Sequence, residues 1–202
     1  MTNQMYINCN EYFQTYCESI DKALKGVQEH PYKAAYDRIK HTGTIGARIF
    51  VCGNGGSASI AEHFSCDHSK GVRMDAPFLR PNVVSLASNM ATITAIGNDI
   101  GYDKIFSKQL EFSNATPDDI LIVISSSGNS SNIIRALEQA HQSNLITIAL
   151  VGFDGGQAGK MASTTVHVNS SNYGIVEDCH QIIMHSWAQA LRVSAATEHL
   201  KL

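Results

Sequence analysis

Residues 47–52, ARIFVC, run straight into GNGGSAS at 53–59 and then into a helical pattern around Ile60 to His68. An apolar β-rich run, a glycine turn and a helix in that order make a strand–turn–helix unit. The glycines let the backbone take positive φ and approach a ligand closely. The helix that follows offers free N–H groups and positive potential to an anion. GNGGSAS fits neither GxGxxG nor GxxxxGK[ST], so neither a dinucleotide nor a P-loop nucleotide is expected.

Downstream, the same style repeats. NVVSLA (82–87), DILIVIS (119–125), LITIALV (145–151) and TTVHVN (164–169) alternate with helical stretches. Four of the five runs are almost wholly apolar, as strands buried on both faces of a parallel sheet are. The alternation predicts a doubly wound α/β layer. Upstream, helical spacing predicts one helix over about Met5 to Val27 and a second from about Tyr32 to His41, with His30-Pro31 as the break. A long final helix is predicted over about Tyr173 to Leu200. The opening helices, within residues 1–45, are too few to form their own core. The whole chain, 1–202, therefore reads as one domain, with these helices packing on the sheet or on another subunit.

Composition narrows the function. The formal charge is −3, which gives no basic footprint for nucleic acid. No apolar run approaches the roughly 20 residues that span a bilayer. MTNQMYINCNEYF at 1–13 lacks a cationic segment followed by an apolar one, so no secretory leader is expected. The five cysteines (Cys9, Cys17, Cys52, Cys66 and Cys179) are odd in number, scattered and without a CxxC pair. That pattern fits a reducing compartment and speaks against a disulfide frame or thiolate zinc site, so a cytoplasmic location is expected.

A second loop, Ser125-Ser126-Ser127-Gly128-Asn129-Ser130, closes the run DILIVI and opens a helix over Asn132 to Gln142. Its hydroxyls can donate to phosphate oxygens without bringing charge. Either loop alone fits turn formation and helix capping equally well. Two such loops at carboxyl ends of strands mark the edge where open α/β sheets bind ligands. Asn54, Gly55, Gly56 and Ser57 of the first loop, and Ser125, Ser126, Ser127 and Ser130 of the second, are the candidate substrate contacts.

Two polar pairs lie on helices. His63 and Asp67 are four residues apart and share a face. Glu177, Gln181 and His185 recur every four residues on the last helix. An imidazole and a carboxylate from each helix can hold a divalent ion such as Zn²⁺, or act as general acid and base. Either pair is equally compatible with a solvated helix face. Asn98-Asp99 sits inside an apolar stretch, where it can bind sugar hydroxyls or form a turn.

Five segments taken in order, CGNGGSASIAEHF (52–64), TAIGNDIGYDKIFSKQLE (94–111), ISSSGNSSNIIRALEQA (124–140), GFDGGQAGKMA (152–162) and VEDCHQIIMH (176–185), resemble the successive motifs of the bacterial phosphoheptose isomerases of the sugar-isomerase (SIS) domain superfamily. The likeness spans roughly residues 5 to 195. It implies a three-layer SIS fold, with a parallel five-stranded sheet between helices, and a homotetramer with active sites at subunit interfaces. It implies that Asn54, Gly55 and Gly56 line the substrate, that Asn98 and Asp99 touch it, and that Ser125, Ser126, Ser127 and Ser130 hold its phosphate. His63 and His185 match metal ligands, and His185 matches the general acid. Two positions depart from the pattern: Asp67 stands where the family has a glutamate base and ligand, and Glu177 where it has a glutamine ligand. Asn89 stands where the family often has aspartate.

The implied reaction is aldose–ketose isomerisation of sedoheptulose 7-phosphate through an enediol. Asp67 or Glu177 is the candidate base and His185 the candidate acid. His63, Asp67, Glu177 and His185 together would hold the metal. The competing readings are a non-catalytic SIS protein, of the kind that associates with a replication initiator, and an isomerase of another ketose phosphate.

Overall fold

A computed structural model describes residues 8–199. The start of the first predicted helix, near Met5, and the end of the last, at Leu200, lie outside the described residues. In chain order the elements are α1 (Cys9–Lys25), α2 (Glu29–Ile45), β1 (Arg48–Gly53), α3 (Gly56–Cys66), a π-helical segment (Asp67–Val72), α4 (Arg73–Asp75), β2 (Asn82–Ser85), α5 (Met90–Asp99), a 3₁₀ turn (Tyr102–Lys104), α6 (Ile105–Phe112), β3 (Ile120–Ser125), α7 (Ser131–Gln142), β4 (Ile146–Val151), α8 (Gly156–Met161), β5 (Thr164–His167) and α9 (Tyr173–His199).

The five strands form one sheet in the order β2-β1-β3-β4-β5, with every neighbouring pair parallel. Alternate side chains face opposite layers. Ile49, Val51, Ile120, Ile122, Ile124 and Leu150 pack with residues of α2, α3 and α9. Phe50, Cys52, Leu121, Val123 and Ala149 pack with residues of α5, α6 and α7. Both faces are dry, which is why the strand sequences read as continuous apolar runs. Arg48 anchors the start of β1: its backbone N–H, Nε and Nη2 donate to the Asp119 carboxylate just before β3, at 2.7, 3.1 and 2.7 Å.

The opening helices pack on this frame, α1 against α9 and α2 against β1 and β5. The Tyr16 hydroxyl donates to Asp178 at 2.7 Å, tying α1 to α9. Burial, with that carboxylate, raises the phenol to about 12.

Pro31 does not interrupt a helix as expected. It lies in the first turn of α2, where the amide it lacks would have no intrahelical partner. The helix therefore starts at Glu29 and runs to Ile45, beyond His41. α3 likewise begins inside the glycine loop, at Gly56 and not near Ile60, and passes into the π segment at Asp67. Asn89 caps α5, its side chain accepting from the Thr92 N–H at 3.0 Å, a task aspartate performs equally well. Among the described residues, no helix is long and apolar enough to cross a membrane.

Candidate active site

The chain reverses direction across the sheet between β1 and β3, so the loops after these two strands flank a topological switch point. A cavity of about 150 Å³ opens there, lined by Asn54, Ser57, Ile124, Ser125, Ser126, Ser127, Ser130, Tyr173 and Glu177. Both predicted loops thus reach one cavity. Ser125 and Ser127 Oγ accept from the Gly128 and Asn129 N–H at 3.2 and 3.3 Å, within the turn, whereas the other two serines are not spent on local structure. Ser130 stands at the N-cap of α7 without a side-chain cap bond. The Ser126 hydroxyl is buried and has no hydrogen-bond partner. A buried orphan hydroxyl facing a polar cavity is a donor waiting for an acceptor.

Asn54 is held by a reciprocal amide pair with the buried Asn132 of α7, at 2.9 and 2.8 Å, and accepts from the Tyr102 hydroxyl at 3.3 Å. Neither Asn132 nor Tyr102 was marked by sequence. An asparagine next to a helix start reads as a turn former, and only the fold pairs it across 78 residues.

α3 and α9 run side by side in the same direction. At one end Gly56 faces Glu177. At the other, the rings of His63 and His185 meet edge to face, 4.7 Å apart. The positive end of α3 accounts for the Glu177 carboxylate lying against Gly56. The His63 and His185 Nε2 atoms are 3.3 Å apart, and each is 3.6 Å from a different oxygen of Asp67. Gln181 Nε2 lies 3.0 Å from His185 Nε2. These spacings suit an ion. Ligands at about 2.0–2.2 Å around a tetrahedral Zn²⁺ stand roughly 3.3–3.6 Å from one another. Two imidazoles and one carboxylate also leave coordination positions open for substrate. His63, Asp67 and His185 can therefore hold a metal ion.

Glu177 does not join them within the chain. It lies two turns from His185 on the same face of α9, about 12 Å along the axis, and lines the serine cavity instead. Asn98 and Asp99 end α5, bonded side chain to side chain at 2.8 Å, exposed and outside the cavity lining.

Comparison with known proteins agrees with the fold. The SIS domain family matches residues 11–152, more than half of the chain. The chain is 33% identical to a phosphoheptose isomerase of Helicobacter pylori over 173 residues, 86% of this chain and 88% of that protein. It is 42% identical to one of Shewanella denitrificans over 143 residues, 69% of this chain and 71% of that protein. Among solved structures, phosphoheptose isomerases from Neisseria gonorrhoeae and Francisella tularensis superpose with TM-scores of 0.80 and 0.80 at 30% and 32% identity. Each covers 90% of this chain, and the match takes in 96% and 95% of those chains.

Proposed function

The chain belongs to the SIS domain family, and we propose that it is a sugar-phosphate isomerase converting sedoheptulose 7-phosphate to D-glycero-D-manno-heptose 7-phosphate through an enediol. The observation that carries this reading is the disposition of two groups along α3 and α9. The serine loop lies at one end and His63, Asp67 and His185 lie at the other. The substrate is disposed likewise, with its phosphate on C7 and the reacting carbonyl and hydroxyl on C2 and C1.

In this reading Ser125, Ser126, Ser127 and Ser130, with the start of α7, bind the phosphate. Asn54, Gly55, Gly56 and Ser57 line the sugar, while Asn98 and Asp99, outside this chain's cavity lining, would meet a sugar hydroxyl only in a site completed by a neighbouring subunit. A carboxylate, Asp67 or Glu177, removes the C1 proton. His185 protonates the C2 carbonyl oxygen to give the enediol. Return of a proton to C2, with loss of the O1 proton, completes the aldose. Binding energy from the remote phosphate positions the reacting carbons. His63, Asp67 and His185 would hold Zn²⁺, which when bound polarises the substrate oxygens, while Glu177, two turns along α9, stays at the serine cavity. A scaffold that only binds protein has no use for two imidazoles and a carboxylate converging from separate helices.

We place the enzyme in the cytoplasm as a homotetramer. Tyr12, Phe13, Tyr173 and Ile182 expose large apolar surfaces on α1 and α9, as helices covered by neighbouring subunits do. The deciding experiment is turnover of sedoheptulose 7-phosphate by zinc-loaded protein, compared with Asp67→Ala and His185→Ala. Turnover abolished in both variants is expected. Absence of turnover in the parent overturns the assignment. Unaltered turnover in the variants overturns the site.

A further inference from the structure

The motif GFDGGQAGKMA lies at 152–162 and touches no substrate in the reading above, yet its turn is locked into the serine loop. The Gly152 N–H donates to the Ser126 carbonyl at 2.9 Å, and the Ala158 N–H to the Gly128 carbonyl at 2.8 Å. Asn129 bridges the two segments: its Oδ1 accepts from the Gln157 N–H at 3.0 Å while its Nδ2 donates to the Ser127 carbonyl at 3.0 Å. The backbones meet so closely that neither will admit a side chain. A Cβ on Gly128 would run into the Gly155 carbonyl, and one on Gly156 into the Ser127 carbonyl and to 2.8 Å from Asn129 Oδ1.

The far side of the turn is fixed to β5. Phe153 holds a left-handed backbone, φ 49°, uncommon for a side chain of its size. Such a conformation persists only where the surroundings over-determine it. Here the Phe153 N–H donates to the Ser170 carbonyl at 2.8 Å, and His167 Nε2 lies 2.9 Å from the Phe153 carbonyl. The Phe153 ring packs on Tyr173, 4.8 Å between centroids, and Tyr173 lines the serine cavity.

We propose that the turn 152–157 is a rigid template that sets the shape of the serine loop and seats Tyr173, with Asn129 as the positioning residue that joins the two. The template touches no reacting atom, so it acts on how tightly the anion is held. This rests on the reading of the serine loop as the phosphate site. Hydrogen bonds across the loops fix two serine-loop residues, Ser126 and Gly128, through their carbonyls, and Asn129, held by the Gln157 N–H, fixes the Ser127 carbonyl from within the loop. The Ser126 hydroxyl is left without a partner, and the Ser125 and Ser127 hydroxyls, which accept from the Gly128 and Asn129 N–H at 3.2 and 3.3 Å, keep their O–H protons for the ligand.

The test uses full-length Asn129→Ala and Gly156→Ala, with Gly159→Ala as control. A Cβ on Gly159 meets only Thr165 and Val151, at 3.4 and 3.5 Å, and no part of the serine loop. The readouts are the inhibition constant of inorganic phosphate and the KM and kcat for sedoheptulose 7-phosphate. For Asn129→Ala, we expect both KM and the phosphate inhibition constant to rise about fivefold, with kcat changed less than about twofold. For Gly156→Ala, we expect rises of at least about tenfold. Gly159→Ala should match the parent. Equal losses in kcat and kcat/KM, or phosphate constants unchanged in Asn129→Ala, overturn the template. If Gly156→Ala fails to fold, Asn129→Ala still decides. A parent protein that phosphate does not inhibit, and whose Ser127→Ala variant keeps its KM, overturns the phosphate reading itself and is thereby distinguishable.

Discussion

The Glu177 carboxylate occupies the space that any side chain at residue 56 would need: its Cδ lies 2.7 Å from where a Cβ on Gly56 would stand. Residues 121 positions apart are thus fitted together where α3 begins and the serine cavity opens. The contact places a negative charge beside a helix start and beside the proposed phosphate site. The first of these stabilises the carboxylate and the second opposes the ligand.

Gly56→Ala is therefore expected to destabilise the protein by about 1–3 kcal/mol through overpacking, against the gain of roughly 1 kcal/mol that alanine brings to an open helix position. Glu177→Ala should recover most of that loss in the double variant, since the two sites share one contact. Urea titration of the four proteins reads the coupling. A Gly56→Ala protein more stable than the parent would show that Glu177 moves aside freely.

His63, Asp67 and His185 supply the proposed metal ligands at 3.3 to 3.6 Å from one another. His63→Ala is expected to lower bound zinc from stoichiometric to a small fraction, and kcat/KM by at least about hundredfold. Asp67→Glu should keep the metal, because it keeps the carboxylate and adds only one methylene to its reach. Metal content by atomic emission, measured beside turnover, checks both. Full activity in metal-free His63→Ala would remove the ion from the chemistry.

Much of this was legible in the sequence, for physical reasons. Strands buried on both faces must be apolar throughout, so β1, β3 and β4 are found to within a residue at either end. Loops that join them at the carboxyl edge must be small and polar, which marks 53–59 and 125–130. Local spacing alone hid the rest. Pro31 reads as a breaker because sequence does not say which helical turn it occupies. The π segment at Asp67–Val72 leaves no residue signature. Glu177, Gln181 and His185 share a face, but only the position of α3 beside it assigns Glu177 to the serine cavity and His185 to His63. Asn132 gave no signal, since its partner Asn54 is distant in the chain.

Asp119 is the joint between β1 and β3, with its side chain 3% exposed. Burial alone would raise its pKa. The Arg48 hydrogen bonds and charge, with the Thr116 N–H, outweigh burial and hold it below the usual carboxylate value. A depressed folded-state pKa contributes stability that is full above the unfolded value, about 4, and is lost as pH falls through the folded one. Asp119→Ala is expected to cost about 3 kcal/mol at pH 7, because it leaves the Arg48 guanidinium without its partner. Measured as the difference in urea midpoint between parent and variant, this cost should shrink below pH 4. A cost that does not change with pH would assign it to packing alone.

His180 reverses the usual behaviour of a histidine in a stability profile. It is fully buried on α9, three residues past Glu177 and turned toward the sheet. Burial, which outweighs the opposing pull of the Val151 backbone and is helped by the nearby His167, lowers it to about 4. The unfolded chain takes up a proton near pH 6.5, whereas the folded chain resists one until near pH 4. The unfolded state therefore binds more protons across that window, and stability falls as pH drops through it, by about 3 kcal/mol for this one group. The sign is opposite to that of a histidine stabilised by a carboxylate, whose contribution grows on acidification. His180→Leu should be less sensitive to pH between 6.5 and 4 than the parent, whatever its stability at pH 8. Urea midpoints of the two proteins at pH 8, 6 and 5 measure the slopes. Parallel slopes would mean that His180 is protonated in the folded chain, and that a carboxylate or water reaches it where the packing admits neither.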